Sequence, residues 1–207
     1  YLTDANGYPT TQLFIGGWAA TGCSDTSSNQ SYFLDQYPSP GDSFGGKTWA
    51  ASTDTDGNFN LDTIICGGDC TNVYSYSHLY LYSPTNQTIR LHWGSDDASQ
   101  VWVNNVLAST QATCQGVVVD QFKIDVAVKE GWNEILWRIA EGSGGYGLAW
   151  RITDNSNTSV PLRMIYRLTK PTNIRDESPS ANHALGIGTT ITQGRFGLGR
   201  TFAGNAT

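Results

Sequence analysis

Apolar and polar side chains alternate with a period of two along most of the chain. Residues 74–82 (YSYSHLYLY) set aromatic and aliphatic groups against small polar ones, the pattern of a strand with one face buried. The alternation returns in 88–93 (TIRLHW), 100–103 (QVWV), 122–128 (FKIDVAV), 133–139 (NEILWRI) and 146–152 (YGLAWRI). Turn-forming residues separate these pieces at Ser83-Pro84-Thr85-Asn86, Asn104-Asn105, Glu130-Gly131-Trp132-Asn133 and Glu141-Gly142-Ser143-Gly144-Gly145. No stretch carries an apolar stripe at helical spacing. Short strands in close succession predict an all-β fold, an antiparallel β-sandwich of jelly-roll type. Residues 22–63, rich in Ser, Asp, Gly and Pro, read as long loops over one end of the sandwich. Residues 160–170 (VPLRMIYRLTK) predict its closing strand.

The character changes after Lys170-Pro171. Residues 171–207 hold Gly-interrupted, β-prone pieces at 186–192 and 195–202, with too little apolar content for a core of their own. The chain therefore divides into a sandwich, 1–170, and a C-terminal arm, 171–207. Charge is segregated along the same lines. Residues 1–100 hold 2 basic and 10 acidic groups, whereas 160–207 hold 6 basic groups (Arg163, Arg167, Lys170, Arg175, Arg195, Arg200) against Asp176 and Glu177. A basic arm on an acidic body suits docking, either on itself or on a neighbour, with charges simply solvated on each face as the alternative. The overall balance of −6 leaves no cationic surplus for a phosphate backbone, which argues against nucleic acid as a partner. No apolar run is long enough to span a membrane. The first residues have neither the basic nor the apolar region of a leader, so a signal peptide is expected to have been removed.

Ser, Thr and Asn together make up 55 of the 207 residues, only 14% are charged, and there are four cysteines. This composition points to an extracellular or cell-surface protein with two disulfides made in an oxidising compartment. Three connectivities are open. Gly67-Gly68 ease a tight Cys66–Cys70 loop, which leaves Cys23–Cys114 to join two distant loops. A zinc site is disfavoured because no C-x2-C spacing occurs. Sequons at Asn29, Asn86, Asn157 and Asn205 are candidate glycosylation sites.

No motif of a nucleophile, a metalloprotease helix or a phosphate loop is present, and His78, His92 and His183 are far apart in sequence. A non-catalytic role is expected. Of the seven Trp, Trp102, Trp137 and Trp150 fall within alternating strands and read as core. Trp49 and Trp132 fall in Gly-containing turns and are candidates for an exposed ligand platform, with packing over a sandwich end as the alternative.

The stretch Leu91-His92-Trp93-Gly94-Ser95-Asp96-Asp97-Ala98-Ser99-Gln100-Val101-Trp102-Val103-Asn104-Asn105 resembles the protective-antigen-type and galactose-binding-like β-sandwich modules of secreted proteins. Weaker pieces agree in order: Leu13 to Trp18, Gly45 to Trp49, Lys129 to Asn133 and Gly144 to Gly147. The resemblance covers roughly residues 10–155. In the sugar-binding branch, similar to the yeast flocculin lectins, an Asp-Asp pair holds calcium that ligates sugar hydroxyls. That resemblance implies Asp96 and Asp97 as calcium ligands; the alternative is that both merely shape a turn. The tail, 176–202, resembles the opening of a laminin-G-like, concanavalin-type jelly roll.

Two functions follow as expectations. The first is a self-assembling extracellular filament subunit, whose arm adds a strand to the next copy head to tail, with Arg195, Phe196, Arg200 and Phe202 as assembly residues. The second is a calcium-assisted module for extracellular glycans or adhesion.

Overall fold

In a computed structural model, residues 8–27, 38–54 and 56–153 are described in full, and beyond them the backbone of the strands between 165 and 202. The chain divides into two units, Tyr1–Lys170 and Pro171–Thr207.

Among its described residues, the regular structure of the first unit is all β apart from one π-type turn, Asp62–Cys66. Its strands are β1 (Thr11–Ala19), β2 (Ser43–Phe44), β3 (Lys47–Thr48), β4 (Ala50–Thr53), β5 (Asn58–Asn60), β6 (Thr71–Ser83) and β7 (Gln87–Asp96). There follow β8 (Ser99–Val103), β9 (Val106–Gln111), β10 (Phe122–Val128), β11 (Gly131–Ser143), β12 (Gly147–Thr153) and β13 (Ile165–Arg167). One sheet runs β4-β1-β6-β11-β8-β9, with β13 also on β6; the other runs β10-β7-β12-β5. All the pairings are antiparallel.

The core follows from the period of two. On β11, Ile135, Trp137 and Ile139 face inward and meet Leu91 and Trp93 of β7 and Leu148, Trp150 and Ile152 of β12. Trp137 lies at the centre, 5.5 Å from Trp93 and 5.7 Å from Trp150, both tilted. Burying such a ring stabilises the fold by roughly 1.5–3 kcal/mol. Trp102, by contrast, is buried on the opposite face of the larger sheet, in a second cluster with Leu13, Ile15, Trp49, Tyr76 and Leu136.

That second cluster corrects the expectation of half-buried strands. From Ser75 to Leu81, every residue of β6 is buried. The outward tyrosines are covered by the segment around 38–49: the Tyr80 hydroxyl donates to the Pro38 carbonyl at 3.1 Å, and Trp49 is only 3% exposed. Residues 22–63 are accordingly more than loops over one end. They supply edge strands to both sheets (β4 and β5) and part of the outer cover of the larger one.

The β8–β9 hairpin was not legible as a pair of strands, because β9 (VLASTQ) alternates poorly. Its turn was. Asn104 and Asn105 both take positive φ, 49° and 66°, which suits a two-residue hairpin turn matching the twist of the strands.

In the second unit, β14 (Asn173–Ile174) pairs with β15 (Ala184–Leu185), and β16 (Thr189–Gly194) with β17 (Gly197–Phe202). Arg200 and Phe202 lie in β17; Arg195 and Phe196 lie outside the described residues. The arm's two longer strands are thus paired with each other, and self-assembly through the arm finds no support in this arrangement. Among the described residues no helix is long and apolar enough to cross a membrane.

Candidate functional site

Three carboxylates converge at one end of the sandwich. Asp96 ends β7, Asp97 opens the turn into β8, and Glu141 lies near the end of β11. One oxygen from each lies within 4.8 Å of the others. The peptide between Asp96 and Asp97 is cis.

Glu141 was hidden in the sequence because it opens a Gly-rich turn. In the structure β11 continues to Ser143, and Glu141 pairs with Val73 of β6. The alternation that points Ile135, Trp137 and Ile139 inward carries on to Glu141, which is 0% exposed. Extending the period of two by one more step through NEILWRIAE would have found it. Neither of its carboxylate oxygens receives a donor from a described residue, and the group within its reach is the Asp97 carboxylate, which only a proton on Glu141 can bridge. Burial pushes the Glu141 carboxyl up, and the charges of Asp97, Asp96 and Asp62 push it the same way, to about 8.

Asp97 is also buried but is held by backbone donors. Its Oδ1 accepts the Gln115 N–H at 2.7 Å and its Oδ2 accepts the Gly142 N–H at 3.0 Å. Asp96 is half-buried. Burial raises its carboxyl, followed by the charges of Asp97 and Asp62, to about 6 against the lowering effect of the Val117 N–H. Asp62 completes the acidic environment from the π-type turn, where its carboxylate accepts the N–H of Cys70 at 2.7 Å and of Tyr146 at 3.0 Å. A side chain at Gly145 would place Cβ 2.8 Å from Asp96 Oδ2, so glycine there keeps the space beside that oxygen open.

The donor set fits a hard divalent cation. Carboxylate oxygens are the usual ligands of calcium, and a buried carboxylate with no donor is costly unless a proton or a cation neutralises it. Asp96 and Asp97, singled out in the sequence, thus lie together with Glu141, which was not.

The two tryptophans proposed as a platform are placed otherwise. Trp49 is buried in the outer cluster with its ring 6.1 Å from His78. Trp49 stands between β3, which pairs with β2, and β4, the edge strand on β1, so it does not sit in a turn. Trp132 is half-buried within β11, edge-on to Tyr82 at 5.4 Å, because β11 already begins at Gly131. Neither is a free-standing stacking surface.

Cysteines pair as Cys23–Cys114 and Cys66–Cys70, with Cα atoms 5.2 and 5.8 Å apart. The first bond closes a sequence separation of 91 and sits beside the acidic site, since Gln115 follows Cys114. Among the sequons, Asn86 is exposed in the β6–β7 turn, with its Oδ1 accepting the Glu130 N–H at 2.8 Å. Asn29, Asn157 and Asn205 lie outside the described residues.

No family model matches the chain, and no curated protein does. Among solved structures the fold is similar to the PA14 domain of the MpAFP antifreeze protein, at 14% identity over 74% of this chain and 88% of that one, with a TM-score of 0.44. It is also similar to the PA14 sugar-binding domain from an RTX adhesin, at 14% identity over 72% of this chain and 69% of that one, with a TM-score of 0.34. A third is a family 35 carbohydrate-binding module from Clostridium thermocellum, at 12% identity over 39% of this chain and 71% of that one, with a TM-score of 0.29. Similarity at this level carries no argument about function, which rests on the site itself.

Proposed function

We propose that the chain is a non-catalytic, secreted module that binds extracellular glycans with the help of calcium held by Asp96, Asp97 and Glu141. The observation that carries this reading is the buried Glu141 carboxylate, without a hydrogen-bond donor, facing two aspartates at one end of the sandwich. Three carboxylates against a divalent cation balance to within one charge, which removes the mutual repulsion now raising Asp96 and Glu141. Calcium bound there would supply open coordination positions for a pair of sugar hydroxyl oxygens. Asp96, the most accessible of the three, accepts hydrogen bonds from those hydroxyls, while Asp97, fixed by the Gln115 and Gly142 N–H groups, does not have to reorganise. Two disulfides suit an oxidising extracellular setting.

Glycan-array binding in calcium and in EDTA tests this reading, alongside Asp96→Asn. Binding that EDTA and Asp96→Asn both abolish supports it. Binding to no glycan in calcium, or binding indifferent to EDTA, refutes it.

A further inference from the structure

The Cys23–Cys114 disulfide stands on both sides of Asp97 at once. Cys114 is the covalent neighbour of Gln115, whose N–H holds Asp97 Oδ1. Cys23 packs against Gly142, whose N–H holds Asp97 Oδ2; a Cβ on Gly142 would lie 2.7 Å from the Cys23 Cβ and 3.0 Å from its backbone nitrogen. The Cys23 carbonyl also accepts the N–H of Ala98, the residue after Asp97, at 3.2 Å.

The strand bearing Gly142 is paired on either side of it, at Glu141 and Ser143, but the Gly142 N–H itself goes to Asp97, and the segment bearing Gln115 has no ladder at all. Residues 112–118 belong to no strand, and Cys114 is exposed. The bonds that return this segment to the body are the disulfide, the Gln115 N–H on Asp97, the Val117 N–H on Asp96 and, beyond them, Asp120, which takes the Arg151 guanidinium and the Tyr8 hydroxyl. Without the disulfide, the segment before Gln115 would be held to the site only by the Gln115 and Val117 hydrogen bonds, each worth little once the segment is free to leave.

We propose that Cys23–Cys114 is a positioning element for the acidic site: it fixes the two backbone donors that aim the Asp97 carboxylate at Asp96 and Glu141. The bond therefore acts through Asp97, beyond its general effect on chain entropy. Only the cation arm of the test below rests on the calcium reading.

Amide hydrogen exchange of the calcium-free protein is compared for the wild type, a Cys23→Ser/Cys114→Ser variant and a core variant, Ile135→Val, which weakens the sandwich away from the site. In the serine variant the Gln115 and Gly142 amides are expected to exchange at least about tenfold faster relative to the mid-strand amides of β6 and β11, and in Ile135→Val they are not. Calcium titration of the same proteins is expected to show affinity weakened about tenfold or more in the serine variant alone. Should the serine variant fail to fold, the folded wild type is reduced and alkylated in place, with mass spectrometry confirming that Cys23–Cys114 has opened, and is read with the same expectations. Uniform acceleration across the strands, or unchanged exchange at Gln115 and Gly142, overturns the proposal. A wild type that takes up no calcium refutes the glycan reading instead, and the exchange arm still decides this one.

Discussion

Strand β11 buries charge in two places, and the two are built oppositely. On its outward face Glu134 meets His78 at 2.6 Å, and Arg138, 0% exposed, meets the Asp25 carboxylate at 3.4 Å and lies 4.7 Å over the Tyr74 ring. Each charged group there has a partner able to carry the opposite charge. At the strand's end Glu141 faces inward, and what faces it is more carboxylate. Both places pay desolvation, but only the first returns it within the protein. Buried charge used for architecture comes paired; buried like charge is left for something the chain does not itself contain. That contrast is the reason to read the second place as a binding site.

The largest effect expected from breaking the contrast is on its paired side. Arg138→Ala leaves Asp25 buried without its cation and should lower unfolding stability by about 3–5 kcal/mol in a denaturant titration. The opposite is expected at the unpaired end. Glu141→Gln removes a buried like charge, so it should raise the melting temperature of the calcium-free protein at pH 8 and also remove any rise that calcium produces. A loss of stability on that substitution would mean that Glu141 is structurally paired after all.

pH sharpens the comparison further. The Glu141 carboxyl stands at about 8 in the folded chain against 4.5 unfolded, and Asp96 at about 6 against 3.8. Between those values the folded state holds more protons than the unfolded one, so stability falls as pH rises from about 5 to 8 in EDTA. Saturating calcium should flatten that slope. Asp25 behaves in the reverse sense. Burial pushes its carboxyl up, but the N–H groups of Ser27 and Thr21, the Ser27 hydroxyl and the Arg138 charge outweigh it and bring it to about 2, from 3.8. Its contribution, present above pH 4, is lost as pH falls toward 2, a drop of about 1–2 kcal/mol visible in acid titrations of stability.

Most of the sandwich was legible in the sequence. The pieces at 74–82, 88–93, 100–103, 122–128 and 133–139 fall inside β6, β7, β8, β10 and β11, and 146–152 overlaps β12 but starts one residue before it. Alternation reports a strand wherever one face must be apolar. It says less about β4 and β5, which are short edge strands whose ladder partners, more than their own side chains, hold them in place. Nor does it say that a second layer will cover the outward tyrosines of β6, since tyrosine suits both water and burial. At the site, Asp96 and Asp97 were singled out by the resemblance of 91–105 to sugar-binding modules. Glu141 lies far from them in sequence, and only the pairing of β11 with β6 and β8 brings it to the same end of the sheet. Trp49 and Trp132 show the converse error: glycine nearby suggested turns, whereas the ladders extend through or beside both residues.

The most direct test of the central claim is calorimetric titration of calcium into the wild type and into Glu141→Gln at pH 7.4. The account predicts one calcium ion per wild-type chain and at least about tenfold weaker binding in the variant. No heat of binding in the wild type, or equal affinity in the two proteins, would contradict it.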